Sequence, residues 1–491
     1  MTQYELERLP TGIDDLDATM SGGLPSGSTT LVAGASGTGK TIFALQTVFH
    51  AARSGKKCLY LTTLSEPAPK LIRYMQLYDF FDASLLREQV CIKDLGSSLR
   101  ERGAEAALSE LLETVEAESP QLVVVDSFKA IHDLLDPERH RSAIYELAVA
   151  MPGWGATTIL IGEYTEFEIS TMPEFAIADG IITLTATRSE LAMVRQLEIR
   201  KLRGSAFVTG IHFYDLAANG ITFYRRVSGP EQPDRADLDL GQRLSTGVTG
   251  LDDLLGGGLP RASSTVLLGG TGTGKTVLGL NFLVEGARHG VPSVALMLEE
   301  TPAQLRELAR ALGWDLSAYE RDGTLGLWHT SPVELSTDRF LHQALERVTR
   351  LGARRVLLDS LTTLQLGTSS LRRFKELVYA LTKHLRALDA TLVMPMEVPE
   401  VIGSVRVTGY GVSFAADNLV YMRHIEHAGH LGRALAVVKA RGVQHSSAIC
   451  EMTIAVGGIV VGRPMQRFGG VLTGLPESSR EEPGDGESEP A

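Results

Sequence analysis

Two short stretches decide how this chain folds: GASGTGKT, residues 34–41, and GGTGTGKT, residues 269–276. Both satisfy G-x-x-x-x-G-K-[ST], and each stands between a short aliphatic run and a helical pattern, the strand–loop–helix setting that makes the motif a phosphate-binding loop. Gly34, Gly37 and Gly39, with Thr38 between them, and likewise Gly269, Gly272 and Gly274 around Thr273, let successive backbone N–H groups turn inward on the α- and β-phosphates of a nucleotide. The helix that follows adds partial positive charge at its N-terminus. Lys40 and Lys275 are placed to reach the β- and γ-phosphates, and Thr41 and Thr276 to hold Mg²⁺ through their hydroxyls. ATP and Mg²⁺ are therefore the expected ligands.

The two loops belong to an internal repeat. Residues 8–41, RLPTGIDDLDATMSGGLPSGSTTLVAGASGTGKT, align without a gap on residues 243–276, RLSTGVTGLDDLLGGGLPRASSTVLLGGTGTGKT, at a constant offset of 235 that still holds from Pro67 to Pro302. The repeat predicts a first domain over 1–226, a polar linker over 227–241 carrying two prolines, and a second domain over 242–466. Residues 467–491 form an acidic tail that ends in PESSREEPGDGESEPA, with too little apolar surface to offset the entropy of ordering. Within each copy, short β-branched runs such as TTLVAG, CLYLTT, QLVVVDS and TTILIG alternate with amphipathic stretches such as Ala104–Glu116. That alternation predicts an α/β fold, two tandem domains each built on a central, mostly parallel sheet.

Composition limits the function classes. At 491 residues, 44% hydrophobic and 22% charged, the chain can bury two cores. Cys58, Cys91 and Cys450 lie far apart without metal-ligand spacing, which points to neither a disulfide framework nor a zinc site. The N-terminal MTQYELERLP has no basic region followed by an apolar one, and no apolar run approaches the ~20 residues of a membrane span. A cytoplasmic setting without membrane contact is expected. A net charge of −12 disfavours nucleic acid as a partner.

Asp126 and Asp359 each end an apolar run and bring one carboxylate to the sheet edge where the loops sit, a position suited to Mg²⁺. Glu163 and Glu397 end the next run in each copy, where a carboxylate can sense a γ-phosphate or simply meet solvent. Hydrolysis also needs a base or a water-orienting acid, because the cradle and the metal stabilise charge without positioning the nucleophile. Glu299 and Glu300, after SVALML, are the candidates. As charge near the helix that Thr301 and Pro302 begin they also have a structural use, worth about 0.3–1 kcal/mol each. The aligned positions in the first copy are Leu64 and Ser65, which cannot take a proton from water, so the first domain is expected to bind ATP and turn it over poorly. Glu66, one or two residues further on, is a candidate substitute.

The combination of TGIDDLDATMSGGLPSGSTTLVAGASGTGKT, the EETP of residues 299–302, the paired DS sequences at 126–127 and 359–360, and the late KLRG and KARG sequences resembles the KaiC family of RecA-like ATPases over nearly the whole chain. The resemblance implies double-tier homohexamers with ATP between neighbouring subunits. It also implies that Lys201 and Arg203, and in the second copy Lys439 and Arg441, reach the phosphates next door. Two cations one strand residue apart project to the same side, and an arginine supplied across an interface neutralises transition-state charge. The resemblance further implies serine/threonine autokinase activity with Ser413 as acceptor, Phe414 standing where a threonine belongs, and Thr408 matching an upstream hydroxyl. Signalling or timing through protein partners follows from the same likeness. A DNA recombinase or helicase is the rival reading, but YTEFEISTMPEFAIADG is acidic and VPEVIGSVRVTGYGVSFAADN offers only Arg406. An ATP-binding scaffold without turnover is the third.

Overall fold

The computed structural model describes residues 6–64, 67–189, 192–226, 241–331, 337–368, 370–398, 415–427, 430–442, 444–465, 468–469 and 477–478. The chain divides into two compact units, Met1–Arg226 and Val227–Ala491. Apart from Gly241, the expected linker lies outside the described residues.

In the first unit nine strands form one sheet in the spatial order Gly220–Tyr224, Ile211–Ala217, Ala192–Leu202, Gly180–Ser189, Thr29–Gly34, Thr157–Gly162, Leu122–Asp126, Cys58–Thr62 and Val90–Asp94. Pairing is parallel from Val90–Asp94 through to Gly180–Ser189 and antiparallel beyond it. The parallel part is apolar on both faces because helices cover both. Val32, Tyr60, Val124 and Ile159 point into one core, and Leu31, Leu59, Val123 and Leu160 into the other. Strand alternation thus divides a continuous hydrophobic run between two cores.

The second unit repeats the plan. Its nine-stranded order is Leu325–His329, Ser293–Met297, Arg355–Asp359, Thr391–Glu397, Ser264–Gly269, Asn418–His427, His430–Ala440, Ile449–Ala455 and Gly458–Pro464. Leu267, Ala295 and Leu357 face one core, and Val266, Leu296 and Val356 the other. Pro395 sits inside the central strand Thr391–Glu397, a place where proline removes a ladder donor. Pairing with Arg355–Asp359 stops at Leu357 and Val393, before the proline, so the two strands separate toward the edge that carries Asp359. The mostly parallel α/β sheets match the sequence reading, and the antiparallel extension is an addition to it. In the stretch read as a solvated tail, Phe468–Gly469 pair with Glu477–Ser478 through the main chain, which pairs whatever the polarity of its side chains. Among the described residues no helix is long and apolar enough to cross a membrane.

Candidate active site

Each phosphate-binding loop leaves its strand at a glycine that has no room for a side chain. A Cβ at Gly34 would lie 2.1 Å from the Leu184 carbonyl oxygen, and one at Gly269 would lie 2.4 Å from that of Met422. The neighbouring strand approaches that closely only because the glycine is there. At the other end, Gly39 (φ 90°) and Gly274 (φ 100°) turn through the left-handed region to start the helices Lys40–Arg53 and Lys275–Arg288. Inside the loops, Thr38 Oγ1 donates to Ala35 O at 2.8 Å and Thr273 Oγ1 to Gly270 O at 2.9 Å. The lysines fold back on the same carbonyls, Lys40 Nζ on Ala35 O at 2.8 Å and Lys275 Nζ on Gly270 O at 2.7 Å. Burial lowers the Lys40 pKa, and the charges of Glu163 and Asp126 oppose that shift.

Both proposed metal corners are assembled. Thr41 Oγ1 donates to Asp126 Oδ2 at 2.7 Å, and Thr276 Oγ1 to Asp359 Oδ2 at 2.6 Å. In the first unit Tyr60 also donates to Asp126 Oδ2, at 2.8 Å, whereas its aligned residue in the second is Ala295. In the second unit burial pushes the Asp359 carboxyl up to about 7; the Thr276 hydrogen bond lowers it, Glu300 and Glu299 raise it further, and Lys275 opposes them. Glu300 is likewise raised, first by burial and then by Glu299. A buried corner with surplus negative charge and a hydroxyl beside a carboxylate fits a hard dication. Glu397 stands next to the loop, accepting from Thr271 Oγ1 at 2.6 Å.

Glu299 and Glu300 follow the strand Ser293–Met297, beside Asp359, ahead of the helix Pro302–Ala311, which Thr301 caps in a reciprocal box with Gln304. Glu299 Oε1 accepts hydrogen bonds from Ser360 Oγ, at 2.5 Å, and from Thr363 Oγ1. In the first unit the aligned Leu64 is 45% exposed. Ser65 and Glu66 lie outside the described residues, as do Thr408 and Ser413. Sequence reasoning missed Tyr60, Ser360 and Thr363; the serine was visible in each DS pair, but its partner was not.

The KLRG and KARG cations lie elsewhere. Lys201 pairs with Ile181, beside Leu31, and Lys439 with Leu419, beside Val266, toward the ends of the sheets away from where the loops leave. Lys201 Nζ donates to Ala176 O at 2.9 Å and Lys439 Nζ to Ala416 O at 2.6 Å. Arg203 and Arg441 lie 3.4 and 4.0 Å from Asp179 and Asp417, with 57% and 67% of their side chains exposed. Neither pair is brought to the phosphate-binding loop of its own unit.

A family model described as "ATPase: KaiC" matches the chain twice, over residues 9–228 and 244–466. The chain belongs to the KaiC ATPase family. Among its relatives is the circadian clock oscillator protein KaiC of Picosynechococcus sp., 28% identical over 484 residues, which cover 96% of this chain and 92% of the relative. The circadian clock protein KaiC3 of Synechocystis sp. is 28% identical over 490 residues, with 96% and 95% covered. KaiC of Thermosynechococcus vestitus is 29% identical over 485 residues, with 96% and 92% covered. As a KaiC-family ATPase, the chain binds nucleotide.

Proposed function

We propose that this KaiC-family chain is a ring-forming ATPase of a timing or signalling pathway that turns over ATP mainly in its second unit. The observation that carries the reading is Glu299, pinned beside the Thr276–Asp359 corner where the first unit has Leu64. In this reading Lys275 leaves Gly270 O for the β- and γ-phosphates, and Glu299 and Glu300 orient the attacking water and take its proton. Thr276 and Asp359 hold Mg²⁺, which when bound supplies positive charge to the phosphate oxygens. Lys439 and Arg441 serve a neighbour's nucleotide, as do Lys201 and Arg203 in the first tier. Their place toward the far ends of the sheets supports action between subunits. The first tier binds ATP through Gly34–Thr41 and Asp126 and holds the ring together. The assembly is a homo-oligomer, a hexamer by the family likeness, in the cytoplasm, with signalling proteins as its readers.

The same site is suited to autokinase chemistry. The Ser413 hydroxyl would take the γ-phosphoryl group of a neighbour's ATP, ADP would leave, and the hydroxyl proton would pass to Glu299 or Glu300. With Phe414 in place of a second acceptor and Thr408 further upstream, at most one major phosphorylated form is expected, dependent on Lys275 and lost in Ser413→Ala. Incubation with ATP, followed by phosphate release and intact mass on the same sample, tests the whole reading. Released phosphate supports the ATPase, added phosphate the autokinase, and neither leaves a scaffold.

A further inference from the structure

We infer that Ser360 and Thr363 are positioning residues for ATP turnover in the second unit, a two-hydroxyl clamp that holds the Glu299 carboxylate in its working orientation. The inference rests on the reading that Glu299 takes part in turnover. Both hydroxyls donate to one oxygen, Oε1, and each belongs to a residue under one-tenth exposed, 5% for Ser360 and 8% for Thr363. The clamp is tied into a helix start. Ser360 caps the helix Leu361–Leu366 by accepting from Thr363 N at 3.3 Å, and its oxygen lies 3.3 Å from Thr363 Oγ1. A free glutamate has several rotamers to lose on reaching a reactive geometry, and a carboxylate tied twice to a helix cap has lost them already.

The first unit serves as an internal control. Ser127 follows Asp126 as Ser360 follows Asp359, and it still caps its helix by accepting from Ala130 N at 3.4 Å. The residue in the place of Thr363 is Ala130, and the residue in the place of Glu299 is Leu64. Serine, needed for the cap, is present in both units; threonine, which the cap does not need, is present only where there is an acid to hold. A threonine required by the fold would be required in both.

The test uses the full chain with Thr363→Val, Thr363→Ala and Thr363→Ser, each alone and combined with Glu299→Gln. Thr363→Val and Thr363→Ala should lower kcat about tenfold, about 1.4 kcal/mol of barrier, with KM and nucleotide affinity within about twofold. Thr363→Ser should restore kcat to within about twofold of the parent, and none of the three should lower the rate further once Glu299 is Gln. The alanine variant, which has the first unit as precedent, keeps the test open should valine misfold. Unchanged kcat, a change confined to KM, a serine that fails to rescue, or an equal loss in the Glu299→Gln background each overturn the clamp. Should Glu299→Gln alone keep the parental rate, the catalytic reading falls, and the clamp with it. An inactive Glu299→Gln beside a fully active Thr363→Ala removes the clamp alone.

Discussion

At the scale of single residues, the second unit places Glu299 beside the Thr276–Asp359 corner, where the first unit has Leu64. Replacing Glu299 and Glu300 together by glutamine should remove most phosphate release; a rate above about half the parental one, roughly 0.4 kcal/mol, would refute their role. Asp359 offers a second test, in protein stripped of nucleotide and metal. Its carboxyl, pushed up to about 7, keeps in the native state a proton that the unfolded chain releases near 3.8. Native protein thus binds more protons than unfolded protein across that window, and stability falls as pH rises through it. Asp359→Asn, neutral at every pH, should therefore melt higher than the parent at pH 8 with chelator present, and the gain should shrink at pH 5. A variant that melts lower than the parent at pH 8 contradicts the buried charge. The same substitution should abolish turnover when Mg²⁺ is present, because the proposed metal ligand is gone.

At the scale of elements, the proposed role of the K-x-R-G strands is to supply a neighbouring copy's loop with cations. Arg441→Ala and Glu299→Gln, each nearly inactive, should complement when mixed and reassembled. At random mixing about a quarter of the second-tier sites combine an intact arginine with an intact acid. Mixed assemblies no more active than either variant would assign Arg441 to its own unit. How legible these elements were depended on the reach of their causes. The phosphate-binding loops were readable because backbone curvature demands glycines at fixed positions, and Thr29–Gly34 and Thr157–Gly162 emerged with the bounds their apolar runs suggested. The helix after Thr301 was announced by its cap and by Pro302. The clamp on Glu299 was hidden because Thr363 lies 64 residues away, and only strand pairing across the sheet brings the two together. Tyr60 was hidden likewise: it reads as one more apolar residue until Asp126 is placed on the adjacent strand.

At the scale of the whole molecule, nucleotide should assemble the ring through the first unit, since ATP held between copies favours the assembled state by mass action. Lys40→Ala should weaken ATP-dependent assembly more than Lys275→Ala does. Sedimentation showing the reverse order, or a monomer at saturating ATP, overturns that division of labour. The register sets Lys439 beside Leu419, away from the loop at Gly269. On the proposed trans role of Lys439 and Arg441, every copy carries two halves of a site that meet only between copies. An isolated copy would then have no complete site, an open row would have one fewer than its members, and only a closed ring would make the two numbers equal. Phosphate released per chain should therefore collapse on dilution into the range where rings open, and a rate per chain that stays flat into the monomer range would contradict this. A protein built this way would measure its own abundance, its output a head count before it is a rate.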